Sequence, residues 1–135
     1  MSKKSLAARG LIATALSGAF LVVPGPTPAQ AAEYGECTIT AKADMGSTYI
    51  GGNTATWTCN HAKNVKVYLR AGALIAGQWD WKYKNFTYSS FNGTGSWKLP
   101  ISVEGAAKLD AESKICYQWT TSVVKCRVAS SVRSF

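Results

Sequence analysis

Histidine occurs once in the 135 residues, no Cys-x-x-Cys is present, and no pair of histidines lies near any of the four cysteines. Zinc and related metals need clustered nitrogen and sulfur donors, so no metal is expected. His61 sits in the turn-forming stretch Asn60-His61-Ala62-Lys63 without the surroundings of a serine or cysteine nucleophile, and reads as a solvent-facing turn residue. Asp80 lies between two tryptophans, where burial would raise its pKa and suit it to act as an acid. None of Asp44, Glu104, Asp110 or Glu112 can be assigned as the second carboxylate of a glycosidase pair. Gly51-Gly52 precedes a strand-like run rather than a helix, so the phosphate-cradling loop is missing too. These shortages describe a protein that is not an enzyme and holds no cofactor.

Long apolar runs are also scarce. Leu11 to Val23 is the longest, interrupted by Thr14, Ser17 and Gly18, whereas a membrane-spanning helix needs roughly 20 apolar residues. Lys3, Lys4 and Arg9 precede it, and Pro24, Pro26 and Pro28 follow on the way to Ala29-Gln30-Ala31. A basic start, a short apolar stretch and a small-residue cleavage site mark residues 1–31 as a cleaved secretory signal peptide. Residues 32–135 are then a single secreted domain. Cys37 is too far from the cleavage point for a lipoprotein, and Arg9 stands alone, so no twin-Arg signal is present. The Ala-rich leader resembles those of secreted bacterial proteins, particularly from high-GC Gram-positive organisms.

Acidic residues are few. The leader carries three of the 15 Lys+Arg and none of the seven Asp+Glu, which leaves the mature chain at +5. That charge favours encounter with an anionic cell envelope, an acidic polysaccharide, an acidic extracellular protein or, peripherally, a membrane surface. Nothing in the sequence points to specific nucleic-acid binding.

What the chain does have is alternation. Cys37, Ile39 and Ala41 alternate with Thr38, Thr40 and Lys42; Ala55, Trp57 and Cys59 with Thr54, Thr56 and Thr58; Val65, Val67 and Leu69 with Lys66, Tyr68 and Arg70; and Trp97, Leu99, Ile101 and Val103 with Lys98, Pro100, Ser102 and Glu104. Period two marks half-buried strands. Turn-forming residues at Asn60–Asn64, Gly72–Gly77, Asn92-Gly93 and Gly105 separate seven to eight short strands, and Pro100 places its strand at a sheet edge or a bulge. Gly105–Ser113 alone reads as a helical turn. The fold class is all-β, a small disulfide-stapled antiparallel β-sandwich. Four cysteines allow three pairings; a hairpin around Thr120-Thr121-Ser122 would put Cys116 opposite Cys126, within disulfide reach, so Cys116–Cys126 with Cys37–Cys59 is the preferred one. Leu109-Asp110-Ala111 leading to Cys116 resembles the corner before the second cysteine of an immunoglobulin domain, although Tyr117 follows that cysteine where the family has a tyrosine two residues before it. The resemblance implies an immunoglobulin-like architecture. Small secreted microbial ribonucleases are of similar size, but their catalytic histidine comes late in the chain, where this one has only Arg127 and Arg133.

The densest chemistry runs from Gln78 to Phe91. Trp79, Trp81 and Tyr83 share one strand face, with Asp80, Lys82 and Lys84 on the other. The parity then changes to Phe86 and Tyr88, which implies a bulge at Lys84-Asn85. The odd-numbered face is expected to be core, because a small sandwich needs large side chains. At least one of Phe86, Tyr88 and Phe91, near the polar tip Asn92-Gly93-Thr94-Gly95, is expected to be exposed. Trp79, Trp81, Lys82, Tyr83, Lys84, Phe86, Tyr88 and Phe91 are the candidate binding residues: rings stack on sugars, settle at membrane interfaces and anchor protein contacts. The leading expectation is a secreted, non-enzymatic antimicrobial or envelope-active protein, bacteriocin-like. The alternative is an extracellular binding module or enzyme inhibitor that recognises a protein or polysaccharide, and a small secreted hydrolase ranks third.

Overall fold

The structure, a computed structural model, describes residues 22–24 and 32–135. The leader read from residues 1–31 lies outside the described residues except for β1 (Val22–Pro24), whose backbone pairs parallel with β7. The other strands are β2 (Cys37–Thr40), β3 (Ala43–Met45), β4 (Ile50–Ile75), β5 (Gln78–Ser102), β6 (Ala106–Gln118) and β7 (Val124–Ser134), and every pairing among them is antiparallel.

Two of these strands are far from short. β4 has 26 residues and β5 has 25. Both run through stretches that resemble turns in sequence, because a bulge lets a strand absorb them without ending. The register shifts between Cys59 and Ala62 against β5 and between Lys63 and Lys66 against β6, where His61 and Asn64 take positive φ, while the register opposite Lys84-Asn85 is unbroken. The expected bulge at Lys84-Asn85 is therefore absent.

The bend at residues 60–64 decides the architecture. Before it, β4 pairs with β2 and β3 on one side and with the second half of β5 on the other; beyond it, β4 pairs with β6 and with the first half of β5. One continuous sheet thus folds over on itself, and its halves become the two layers of the sandwich. Ile39, Ala55 and Trp57 from the first layer pack with Val65, Val67, Leu69, Leu109, Ile115 and Tyr117 from the second. Asn53 ties the layers together. It is fully buried, and its side-chain amide donates to the Arg70 and Glu112 carbonyls and the Ser113 hydroxyl at 3.0 to 3.2 Å. A buried amide left without these partners would cost about 1–3 kcal/mol per unsatisfied group, so the three bonds fix the spacing of the layers.

The β4–β5 hairpin closes with Ala76 and Gly77, both at positive φ, which matches the twist of the strands they join. Among the described residues β5 has a neighbour on one side only, so of the edge and bulge positions expected for Pro100 the edge is the one it takes. The Gly105–Ser113 stretch is not a helical turn but the first part of β6. Leu109, Ala111, Ser113, Ile115 and Tyr117 are buried at alternate positions, and its alanines serve a period of two as readily as one of 3.6.

The disulfides join Cys37 to Cys59 and Cys116 to Cys126, residues directly opposite on paired strands. Trp119 N–H donates to the Val123 carbonyl at 2.7 Å, which closes the β6–β7 hairpin in the register read from sequence. Glu36, just before β2, is buried against β6 and β7, with Arg127 Nη2 at 2.7 Å, the Tyr117 hydroxyl at 3.2 Å and Lys125 Nζ at 3.7 Å. Burial pushes the Tyr117 hydroxyl above its ordinary pKa, the Glu36 carboxylate adds to the rise, and Arg127 opposes it.

Candidate functional site

Directly paired residues share a sheet face. Trp79, Trp81 and Tyr83 stand opposite Leu74, Gly72 and Arg70, and those positions alternate with the core residues Ala73, Ala71 and Leu69. The aromatic row is therefore on the outer face of the second layer, not in the core. Tyr83 is 64 % exposed and Trp79 41 %. The expectation that this face is core fails because Val65, Val67, Leu69, Ala71 and Ala73 of β4 already fill the inner side.

Phe86, Tyr88 and Phe91 lie on the inner side instead, opposite Val67, Val65 and Ala62, and are half-buried against the core. The parity change in sequence reflects which inward positions carry bulk, not a backbone irregularity. Phe86 packs 5.4 Å from Trp57 and 5.3 Å from Trp97, and Tyr88 lies 4.7 Å from Phe91. These rings plug the side of the sandwich along β5. Lys84 caps the plug, its ammonium 5.0 Å from the Trp97 ring and 5.4 Å from Phe86. Lys82, opposite Ala71, is exposed on the same strand. Charged lysines and a proline on an edge strand discourage edge-to-edge association.

The outer face has a defined construction. Trp81 stacks on Trp79 at 5.2 Å, and the Arg70 guanidinium lies 4.2 Å from the Trp81 ring. Gly72 permits this, since a Cβ there would come within 2.5 Å of the indole. Arg70 donates through Nε and Nη2 to one oxygen of Glu112, at 2.9 and 2.6 Å. That bond holds the guanidinium above its ordinary pKa. Asp110 sits opposite Gly72 with Oδ1 buried and unpartnered. Burial pushes its carboxyl up to about 6, and the charge of Glu112 adds to the rise. In the next row Lys114 is opposite Tyr68, its ammonium 5.0 Å from that ring. Between the two rows runs a groove of about 380 Å³, lined by Tyr68, Arg70, Tyr83, Asn85, Glu112 and Lys114.

Tyr68, Arg70, Asp110, Glu112 and Lys114 were not among the residues singled out for binding. Their outward direction was readable, since Tyr68 and Arg70 alternate with Val67 and Leu69. The hairpin register could have placed Arg70 beside Tyr83. The β6 partners had no such signal, because their pairing with β4 spans a long connection.

His61, at the bend midway along β4, stacks on Tyr34 at 5.1 Å and bonds through Nδ1 to Asn60 Oδ1 at 2.8 Å. Among the described residues no group of three histidine, cysteine or acidic side chains is placed to hold a metal, and no helix is long and apolar enough to cross a membrane.

No family model matches the chain, and no curated protein matches it. Among solved structures it is similar to the sporulation control protein Spo0M from Bacillus subtilis, with a TM-score of 0.32 and 10 % identity over 71 % of this chain and 47 % of that one. The chain thus spans about half the length of that structure. A likeness this loose carries neither fold nor function.

Proposed function

We propose that the protein is a secreted, non-enzymatic, cationic protein of bacteriocin-like character that acts by docking on an anionic cell envelope through the outer face of β4, β5 and β6. The observation that carries this reading is the composition of that face: exposed Trp79, Tyr83 and Tyr68 and half-buried Trp81, alongside Lys66, Lys108 and Lys114. Lysines supply attraction over about 8–10 Å at moderate salt, and the rings supply contact once water is displaced. The two intramolecular disulfides suit an oxidising compartment.

Binding of the purified protein to whole cells and to anionic liposomes over a salt series tests the reading. Association should fall as salt rises, and Trp79→Ala and Lys108→Glu should each weaken it without altering the melting temperature. No association even at low ionic strength would overturn it. A viability assay beside the binding assay reads the antimicrobial part separately. The groove between Tyr68 and Tyr83 favours a second reading, a binding module for an extracellular polysaccharide.

A further inference from the structure

The geometry points to the outer-face groove as a binding site for uronic-acid units of an acidic polysaccharide. This inference rests on the surface-docking reading above and names its ligand.

Size comes first. A groove of about 380 Å³ lies at the lower end of the roughly 300–1,000 Å³ typical of small-molecule sites, room for one or two pyranose rings. The walls come next. Tyr83, 64 % exposed, makes no ring–ring contact among the described residues and offers a free aromatic face at one side. Tyr68 forms the floor beneath Lys114. Sugars present flat C–H faces to rings of this kind while their hydroxyls seek hydrogen bonds at the edge. The edge groups are present: the Glu112 carboxylate, one oxygen of which takes both Arg70 bonds, and the Asn85 amide, which stands opposite Tyr68.

Charge then selects among sugars. Arg70 and Glu112 neutralise each other. Lys114 has no carboxylate within 4.0 Å among the described residues, so the charged side chains that line the groove, Arg70, Glu112 and Lys114, leave one positive charge over, Asp110 lying outside the lining. A ring that carries a single carboxylate matches it. A neutral glucan leaves Lys114 unanswered, and a polyol phosphate has the charge but no ring face for Tyr83.

Affinity electrophoresis through gels containing polygalacturonate, neutral dextran or poly(glycerol phosphate) tests this. Polygalacturonate should retard the protein most. Tyr83→Ala and Lys114→Gln should each weaken retardation about tenfold, the size expected for truncating a central contact. Tyr83→Phe should stay within about twofold, because the ring is kept. Lys98→Gln, on the outer face of the other layer, removes the same charge elsewhere and should have little effect. Circular dichroism melts confirm that each variant folds. Equal loss from Lys114→Gln and Lys98→Gln would overturn the site, as would equal retardation by poly(glycerol phosphate). Cells bound but polygalacturonate ignored would overturn this inference and leave the envelope reading standing.

Discussion

Replacing Glu36 by alanine should unfold this protein more readily than any other single loss of charge. The Glu36 side chain is 9 % exposed and its partner Arg127 20 %. Removing the carboxylate strands a guanidinium inside the fold with the Tyr117 hydroxyl, 3.3 Å from Nε, as its one remaining hydrogen-bond partner among the described residues. Breaking a buried pair from one side costs about 3–5 kcal/mol, and the residual exposure of Arg127 argues for about 3. In a domain of this size each kcal/mol lowers the melting temperature by about 4–8 °C, so Glu36→Ala should melt at least 12 °C lower. The double variant Glu36→Leu with Arg127→Met should recover half or more of that loss, because the penalty lies in the unpaired charge rather than in the absence of a bond. Urea unfolding with an unchanged m-value is the assay. A loss below about 1 kcal/mol for Glu36→Ala would refute the reasoning, since that is the range of a solvent-screened pair. Arg70–Glu112 provides the contrast: with side chains 40 % and 32 % exposed, Arg70→Ala should cost under about 1 kcal/mol of stability.

Asp110 should make stability depend on pH in the sense opposite to a salt-bridged acid. Its pKa in the fold is about 6 against an ordinary 3.8, so between those values the unfolded chain ionises first and stability falls as pH rises. Asp110→Asn should therefore raise the melting temperature at pH 7.5 and leave it nearly unchanged at pH 3.5, and equal shifts at both would contradict the assignment. Gly52→Ala should destabilise by about 1–3 kcal/mol, because the new Cβ would lie 2.0 Å from the Leu99 carbonyl oxygen; a thermal melt reads it. The two disulfides should differ in worth. Chain-entropy reasoning gives about 3.4 kcal/mol for a loop of 22 residues and about 2.7 for one of 10, so the Cys37→Ala/Cys59→Ala pair should melt below Cys116→Ala/Cys126→Ala.

Much of the fold was legible. Alternation at Cys37–Ala41, Ala55–Cys59 and Val65–Leu69 identified strands and their inward faces, because the pleat leaves no other way to bury every second residue. Both disulfides are the pairing preferred among the three possible, one from counting back through a three-residue turn and the other as the remaining pair. Besides the bulge expected at Lys84-Asn85, three readings failed for related reasons. Asn60–Asn64 looked like a turn, yet a bulge carries the strand through it. The alanines of β6 looked helical, yet alanine has no strong period of its own. Trp79, Trp81 and Tyr83 looked like core by their size, yet a side chain's mass does not say which face it takes.

The sequence by itself thus determined the all-β class, a preference for the two cross-strand disulfides, an edge or bulge position for Pro100 and the existence of an aromatic, lysine-rich strand. Tertiary structure decided which side of that strand meets water. The answer depends on β4, whose inward face is saturated with Val65, Val67, Leu69, Ala71 and Ala73, and on a hairpin turn at Ala76-Gly77 that sets Trp81 over Gly72 and Tyr83 beside Arg70. Register is a relation between strands, and the β6 residues Asp110, Glu112 and Lys114 reach the face only through pairing across a long connection. No periodicity within one strand can express that.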